Sequence, residues 1–205
     1  MLFMAHEITL TVNYKKHHST NPLQRFLLNN FYKNLLGLTY DLKIKSALDV
    51  GCAEGFALNL LKKNPYVKKL VGLDQSLASI KLGRKLHPGI IFSHGSIYQL
   101  PYRDNEFDIV ICTEVLEHLE NPKAALKEIV RVTNNYCLLS VPNEPWFMLA
   151  NFLRGKNLSR WGNDIEHINH WTKSKFVSLI KEATLEPLVV NNPFPWTMVL
   201  VKKRE

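Results

Sequence analysis

Five short apolar runs recur through the middle of the chain: Ala47–Val50, Leu70–Asp74, Ile90–Ser93, Phe107–Cys112 and Tyr136–Val141. Apolar residues at nearly every position, rather than at every second one, require cover on both faces of a sheet. The segments between the runs read as helices. Phe56, Leu60 and Leu61 belong to one that stops before Pro65, and Leu77, Ile80 and Leu82 to one that stops near Pro88. Asn121–Pro122 opens a third, carrying Ala125, Ile129 and Val132, as a cap residue followed by a first-turn proline should. Strands joined by helical crossovers run parallel, so the pattern predicts an open, doubly wound α/β sheet with helices on both faces.

The end of the chain breaks that rhythm. After a helix near Lys173–Ala183, "LEPLVVNN" and "WTMVLVKK" are strand-like runs joined only by a short "PFP" region. So short a connection forces antiparallel pairing. Seven strands with the last one reversed are expected. At the other end, residues 1–20 read as irregular, and Asn21–Pro22 start a helix to about Leu36 with Leu23, Phe26, Leu27, Phe31 and Leu35 on one face and Gly37 as its stop.

Charge and cysteine usage narrow the setting. The net charge of +8 is uneven: residues 1–45 carry 6 basic and 2 acidic side chains, 46–149 carry 11 of each, and 150–205 carry 9 and 5. Basic ends around a neutral middle favour anionic partners, nucleic acid among them, or simply keep the surface solvated. Cys52, Cys112 and Cys137 are an odd set without metal-like spacing, which suits buried, reduced thiols in the cytoplasm. "MLFMAHEITL" lacks the basic start of a leader, and no apolar run approaches membrane-spanning length.

In open parallel sheets, ligands sit beyond the carboxyl ends of the strands where the strand order reverses. There the chain reads "SALDVGCAEG", placing Asp49 at the end of the first strand and Gly51, Cys52, Ala53 and Gly55 in the turn. Small residues let a ligand approach the backbone, and the next helix offers free amide donors to an anionic group. Asp74 ends the second strand in "VGLDQS", 23 residues after Gly51, where a carboxylate can accept both hydroxyls of a ribose or, alternatively, cap the helix beginning near Ser76. Gly95, Ser96 and Ile97 follow the third strand; Thr113, Glu114 and Val115 follow the fourth.

Taken together, "LDVGCAEG", "VGLDQS" and "LPYRDNEFDIVICTEVLEHLENP" resemble the class I S-adenosylmethionine-dependent methyltransferases, the group that includes small-molecule and ubiquinone-type enzymes. The resemblance runs from about Leu38 to Lys203 and implies a Rossmann-like sheet and S-adenosylmethionine as cofactor. It implies further that Asp49 orients the methionine amino group and that Asp74, beside Gln75, holds the ribose. Ile97 would pack on the adenine, and the Thr113–Glu114 rim would meet the methionyl ammonium. Two positions depart from the family pattern: Ala53 replaces a middle glycine, and Ser96 stands where an aspartate commonly contacts the adenine amino group.

Methyl transfer from a sulfonium mainly needs an acceptor aligned in line with the methyl group. A base matters only if that acceptor must lose a proton. His118, in "EVLEHL", is the candidate base, with closure of the loop by hydrogen bonding as its plainer role. His167 and His170 lie three apart but lack a third ligand in the sequence, and the family usually needs no metal.

The acceptor should be chosen by residues 143–171, a long insertion holding Trp146, Phe147, Phe152, Trp161 and Trp171, which reads as a lid opposite the 1–37 cap segment. Phe147, Leu149 and Phe152 are expected to pack on the sheet. "HINHWT" resembles stretches in family members tied to cell-envelope or lipid-linked chemistry, so the acceptor implied is a small or lipid-linked molecule. An RNA (tRNA) or protein methyltransferase is the alternative, although "CTEV" stands where many nucleic-acid enzymes carry an Asn-Pro-Pro-Tyr-like tetrad. A non-catalytic cofactor-binding subunit is another. A nicotinamide-binding module fits less well, because residues 51, 53 and 55 are spaced one residue too closely for its glycine loop.

Overall fold

A computed structural model describes residues 11–204. The reading of Met1–Leu10 as lacking a leader falls outside the described residues. Seven strands form one sheet: β1 (Ser46–Val50), β2 (Lys69–Asp74), β3 (Ile91–His94), β4 (Phe107–Thr113), β5 (Thr133–Pro142), β6 (Leu185–Asn191) and β7 (Trp196–Lys203), in the order β3-β2-β1-β4-β5-β7-β6. β1 pairs with β2 and β4 in parallel, and β7 runs antiparallel to both β5 and β6. The expected reversed last strand is present, inserted between its neighbours rather than left at the edge.

Among the described residues, seven α-helices accompany the sheet: α1 (Val12–His17), α2 (Pro22–Thr39), α3 (Phe56–Leu61), α4 (Leu77–Leu86), α5 (Pro122–Val132), α6 (Trp146–Leu153) and α7 (Lys173–Glu182). Side chains alternate across the strands, so the sheet feeds two cores. On one face Leu48, Val110 and Cys112 meet Ala125, Leu126 and Ile129 of α5 and Phe176 and Ile180 of α7. On the other, Ala47, Ile109 and Ile111 meet Leu27, Phe31 and Leu35 of α2, Leu58 and Leu61 of α3 and Ile80 of α4. Burying one such large apolar side chain stabilises the fold by roughly 1.5–3 kcal/mol.

Four details differ from the sequence expectation. Residues 12–17 are helical rather than irregular: Thr11 accepts the Tyr14 N–H as a cap, and Thr11 and Asn13 donate to the buried Glu54 carboxylate. The α2 helix passes Gly37 and ends at Thr39, whose hydroxyl donates to the Leu35 carbonyl at 2.9 Å. Leu23 and Phe26 are exposed, and Leu28 joins the buried face instead. Leu77 is likewise exposed at the start of α4.

Candidate functional site

The turn after β1 is shaped by its small residues. Gly51 has φ +76° and Gly55 φ +82°, a region that side-chain-bearing residues seldom adopt. A Cβ on Gly51 would lie 2.3 Å from Val115 Cγ2, and one on Gly55 2.7 Å from Phe92 Cζ. The turn is therefore fixed by close approach as well as by conformation. Asp74 locks it further: one carboxylate oxygen accepts the Ala53 N–H at 2.8 Å and the other the Ser76 N–H at 2.7 Å. Ser76, not Asp74, caps α4, by accepting the Ser79 N–H.

Above this turn lies a cavity of about 560 Å³. Of the residues expected from the sequence, Asp49, Gly51, Cys52, Ala53, Asp74, Gln75, Ile97, Thr113, Glu114 and His118 line it. Gly55 lies behind the turn, outside the lining. Ser96 is exposed, accepts the Tyr98 N–H at 3.2 Å and does not line the cavity either; its place on the wall is taken by Gly95 and Ile97.

Burial controls the charges. Asp49 is 2% exposed, and its carboxyl is pushed up to about 8 by burial and then by Asp74. Glu114 accepts from the Ser140 hydroxyl at 3.1 Å and from the Trp196 indole N–H; burial raises it to about 7 against the pull of Lys16. All three cysteines are buried free thiols.

The 143–171 insertion reaches the same rim. Ile168 and Asn169 donate their N–H groups to the Glu117 carbonyl, each at 3.0 Å, and the Asn169 amide donates to the Leu119 carbonyl at 2.6 Å. His118 bonds through Nδ1 to the Glu166 carbonyl at 2.8 Å. Of the three side chains expected to pack on the sheet, only Phe147 does, against Trp196 at 6.4 Å between ring centres. Leu149 and Phe152 are partly exposed, the latter stacked on Trp161.

Residues 48–139 match the family model described as "Methyltransferase domain". Across residues 48–139 the chain carries a class I S-adenosylmethionine-dependent methyltransferase domain. The phthiotriol/phenolphthiotriol dimycocerosates methyltransferase of Mycobacterium tuberculosis is 35% identical over 94 residues, 45% of this chain and 35% of that protein. The demethylmenaquinone methyltransferase of Renibacterium salmoninarum is 42% identical over 89 residues, 42% of this chain and 35% of that protein. This chain therefore matches about a third of the length of each of these relatives. Magnesium protoporphyrin IX methyltransferase from Synechocystis PCC 6803, solved with bound SAH, superposes with a TM-score of 0.68 over 95% of this chain and 96% of that one, at 14% identity. That likeness concerns the fold.

The cavity is also lined by residues that the sequence did not single out. Asn13, Lys16 and His17 of α1 line the cavity, as do Phe31, Tyr32 and Trp196. His17 stacks on Phe56 with ring centres 3.8 Å apart, and burial followed by the Lys16 charge lowers it to about 4. The signal in the sequence was a threonine cap at Thr11 ahead of a short basic run, too brief for helical periodicity to register. Among the described residues, no helix is long and apolar enough to cross a membrane.

Proposed function

We propose that the protein transfers a methyl group from S-adenosylmethionine to a small-molecule or lipid-linked acceptor. The observation that carries this reading is the open cavity beyond the carboxyl ends of β1, β2 and β4, with the Asp49 and Asp74 carboxyl groups on either side of the glycine turn. In this reading Asp74 receives the ribose hydroxyls, Asp49 faces the methionyl ammonium, Ile97 packs on the adenine and Thr113 and Glu114 form the rim. Residues 38–205 act as the catalytic unit, in the cytoplasm, with 1–37 as a cap and 143–171 as a lid.

The acceptor class rests on the lid and on the relatives. Leu153 is 72% and Trp161 76% exposed, and Leu158, Ile165 and Ile168 are exposed beside them. Contiguous exposed apolar groups mark interaction surfaces, and these lie beside Arg154, Lys156 and Arg160, suiting a greasy molecule with an anionic head or setting. The two relatives are named for phthiotriol and phenolphthiotriol dimycocerosates and for demethylmenaquinone.

The test has two stages. Calorimetric titration should show binding of S-adenosylmethionine, lost in Asp74→Ala; no binding by the intact protein ends the proposal. Methyl-labelled cofactor is then offered with a prenylated quinol in micelles, with bulk tRNA and with a peptide mixture. Label in the lipid extract supports the reading. Label in RNA or peptide transfers support to the corresponding alternative, and cofactor binding without turnover on any acceptor supports a non-catalytic subunit.

A further inference from the structure

Glu117 is the anomaly at the rim of the cavity. It is 1% exposed, and neither oxygen of its carboxyl group has a hydrogen-bond partner among the described residues. A buried carboxyl group in that condition is costly unless a proton or a cation answers it. Two imidazoles stand beside it. One ligand atom each from Glu117, His118 and His167 lie within 4.8 Å of one another.

One ring, His118, is already oriented as metal-bound imidazoles usually are. The Glu166 carbonyl can only accept, so it fixes the proton of His118 on Nδ1 and leaves the Nε2 lone pair, which lies 3.9 Å from Glu117 Oε1. His167 is 8% exposed and its unpartnered Nδ1 lies 3.9 Å from Glu144 Oε1, itself unpartnered. The carbonyl behind His118 sets its tautomer and raises the basicity of Nε2, while the Glu144 carboxylate lies behind His167 beyond hydrogen-bond reach. Three protein ligands of the His, His, carboxylate type, with one position left open, are the donor set of a zinc site that acts on a substrate.

We infer that Glu117, His118 and His167 bind one divalent transition-metal ion, zinc by its donor preference, with the open position on the side of His118, the ligand that lines the cavity. Closing from 4.8 Å to bonding separations takes small side-chain rotations at the rim. The partner of His167 is thus the 117–118 turn and not His170, whose Nδ1 faces Glu144 at 3.8 Å. Lys16 of α1 makes no hydrogen bond to Glu117, so neither carboxyl oxygen is taken by a protein donor.

The use of such an ion rests on the methyl-transfer reading; its binding does not. A hydroxylated acceptor would place its oxygen at the open position, and its proton would leave to water. The oxygen lone pair then forms the bond to the methyl carbon while the carbon–sulfur bond breaks onto sulfur, giving a neutral thioether. His118 then acts as a ligand and not as the base.

The whole protein is dialysed against zinc and assayed by mass spectrometry and by competition with a chromophoric chelator. Cofactor binding and thermal melting are followed in parallel. One zinc per chain is expected. Glu117→Gln, His118→Ala and His167→Ala should each weaken it by more than the ~10–100-fold that losing an outer partner costs, and Glu144→Gln by an amount within that range. His170→Ala should leave it within a factor of about three.

Wild-type zinc far below one per chain overturns the site, as does Glu117→Gln binding like wild type. That variant is isosteric and relieves an unpaired carboxylate, so loss of fold does not confound it. Equal losses in His170→Ala and His167→Ala also overturn the site. Zinc absent with cofactor bound rejects only the site, whereas zinc bound with no cofactor binding rejects only the methyl-transfer reading.

Discussion

Asp74 and Ala53, 21 residues apart, are joined by a 2.8 Å hydrogen bond from the Ala53 N–H to Asp74 Oδ2. The tip of β2 thereby holds the turn after β1 in place, and the same carboxylate faces the cavity. One side chain shapes the glycine turn and is offered to the ligand at once.

Replacing Asp74 should therefore act twice. Asp74→Asn keeps an acceptor but loses the charge; with charge-assisted bonds at about 1.5–3 kcal/mol each, cofactor affinity falls roughly 10- to 100-fold. Asp74→Ala should fall further and also lower the melting temperature, because the turn is untied. Titration calorimetry and thermal scans separate the two effects. Unchanged affinity in both variants rejects the ribose role.

Gly51→Ala places a methyl group 2.3 Å from Val115 Cγ2 at a φ of +76°. Overpacking and the left-handed backbone each cost about 1–3 kcal/mol. Urea unfolding should register their sum. In the double variant with Val115→Ala the clash is relieved while the backbone strain persists, so the pair should couple by about 1 kcal/mol in the double-mutant cycle.

Asp49 stands near 8 when the cavity holds no cation. An ammonium beside it favours the ionised form, so binding drives a proton off the carboxyl group. Affinity for the cofactor should rise with pH up to about 8 and level beyond it, since the free protein is by then already ionised. Titrations in two buffers of different ionisation enthalpy measure the released proton. Asp49→Asn should flatten the slope; a wild-type affinity independent of pH below 8 contradicts the assignment.

Asp108 gives a stability prediction at the opposite end of the strands, near the start of the central β4. Burial opposes its charge, but the Lys45 N–H at 2.7 Å, the Asn134 amide and the Ser46 N–H at 3.1 Å outweigh it and hold the group below the ordinary carboxylate range. Its folded value lies under its unfolded one, so its contribution is present above about pH 3.9 and is lost as pH falls through the folded value. Denaturation midpoints of wild type and Asp108→Asn should differ near neutrality and converge in acid.

The sheet was legible because its strands are apolar almost without interruption; β4, expected to end at Cys112, ends at Thr113. The glycine turn and Asp74 were legible because local conformation and strand-end position dictate them. The α1 helix was not. It is six residues long and has no buried residue, and it is held by Glu54 and Phe56 from a distant turn. Gly37 misled because it lies within the last turn of the helix with open space where a Cβ would go, and the helix continues past it to Thr39. Ser96 has the right sequence position but turns outward to hold its own loop. The meeting of His167 with Glu117 depends on how the 143–171 segment crosses the rim, and no periodicity encodes that path.

Because β7 runs opposite to the parallel strands, it leaves the ligand end at Trp196 and reaches the far edge at Lys203, whose ammonium bonds the Thr133 carbonyl. A fluorophore or affinity handle appended beyond Lys203 therefore emerges at the base of the sheet and leaves the mouth clear.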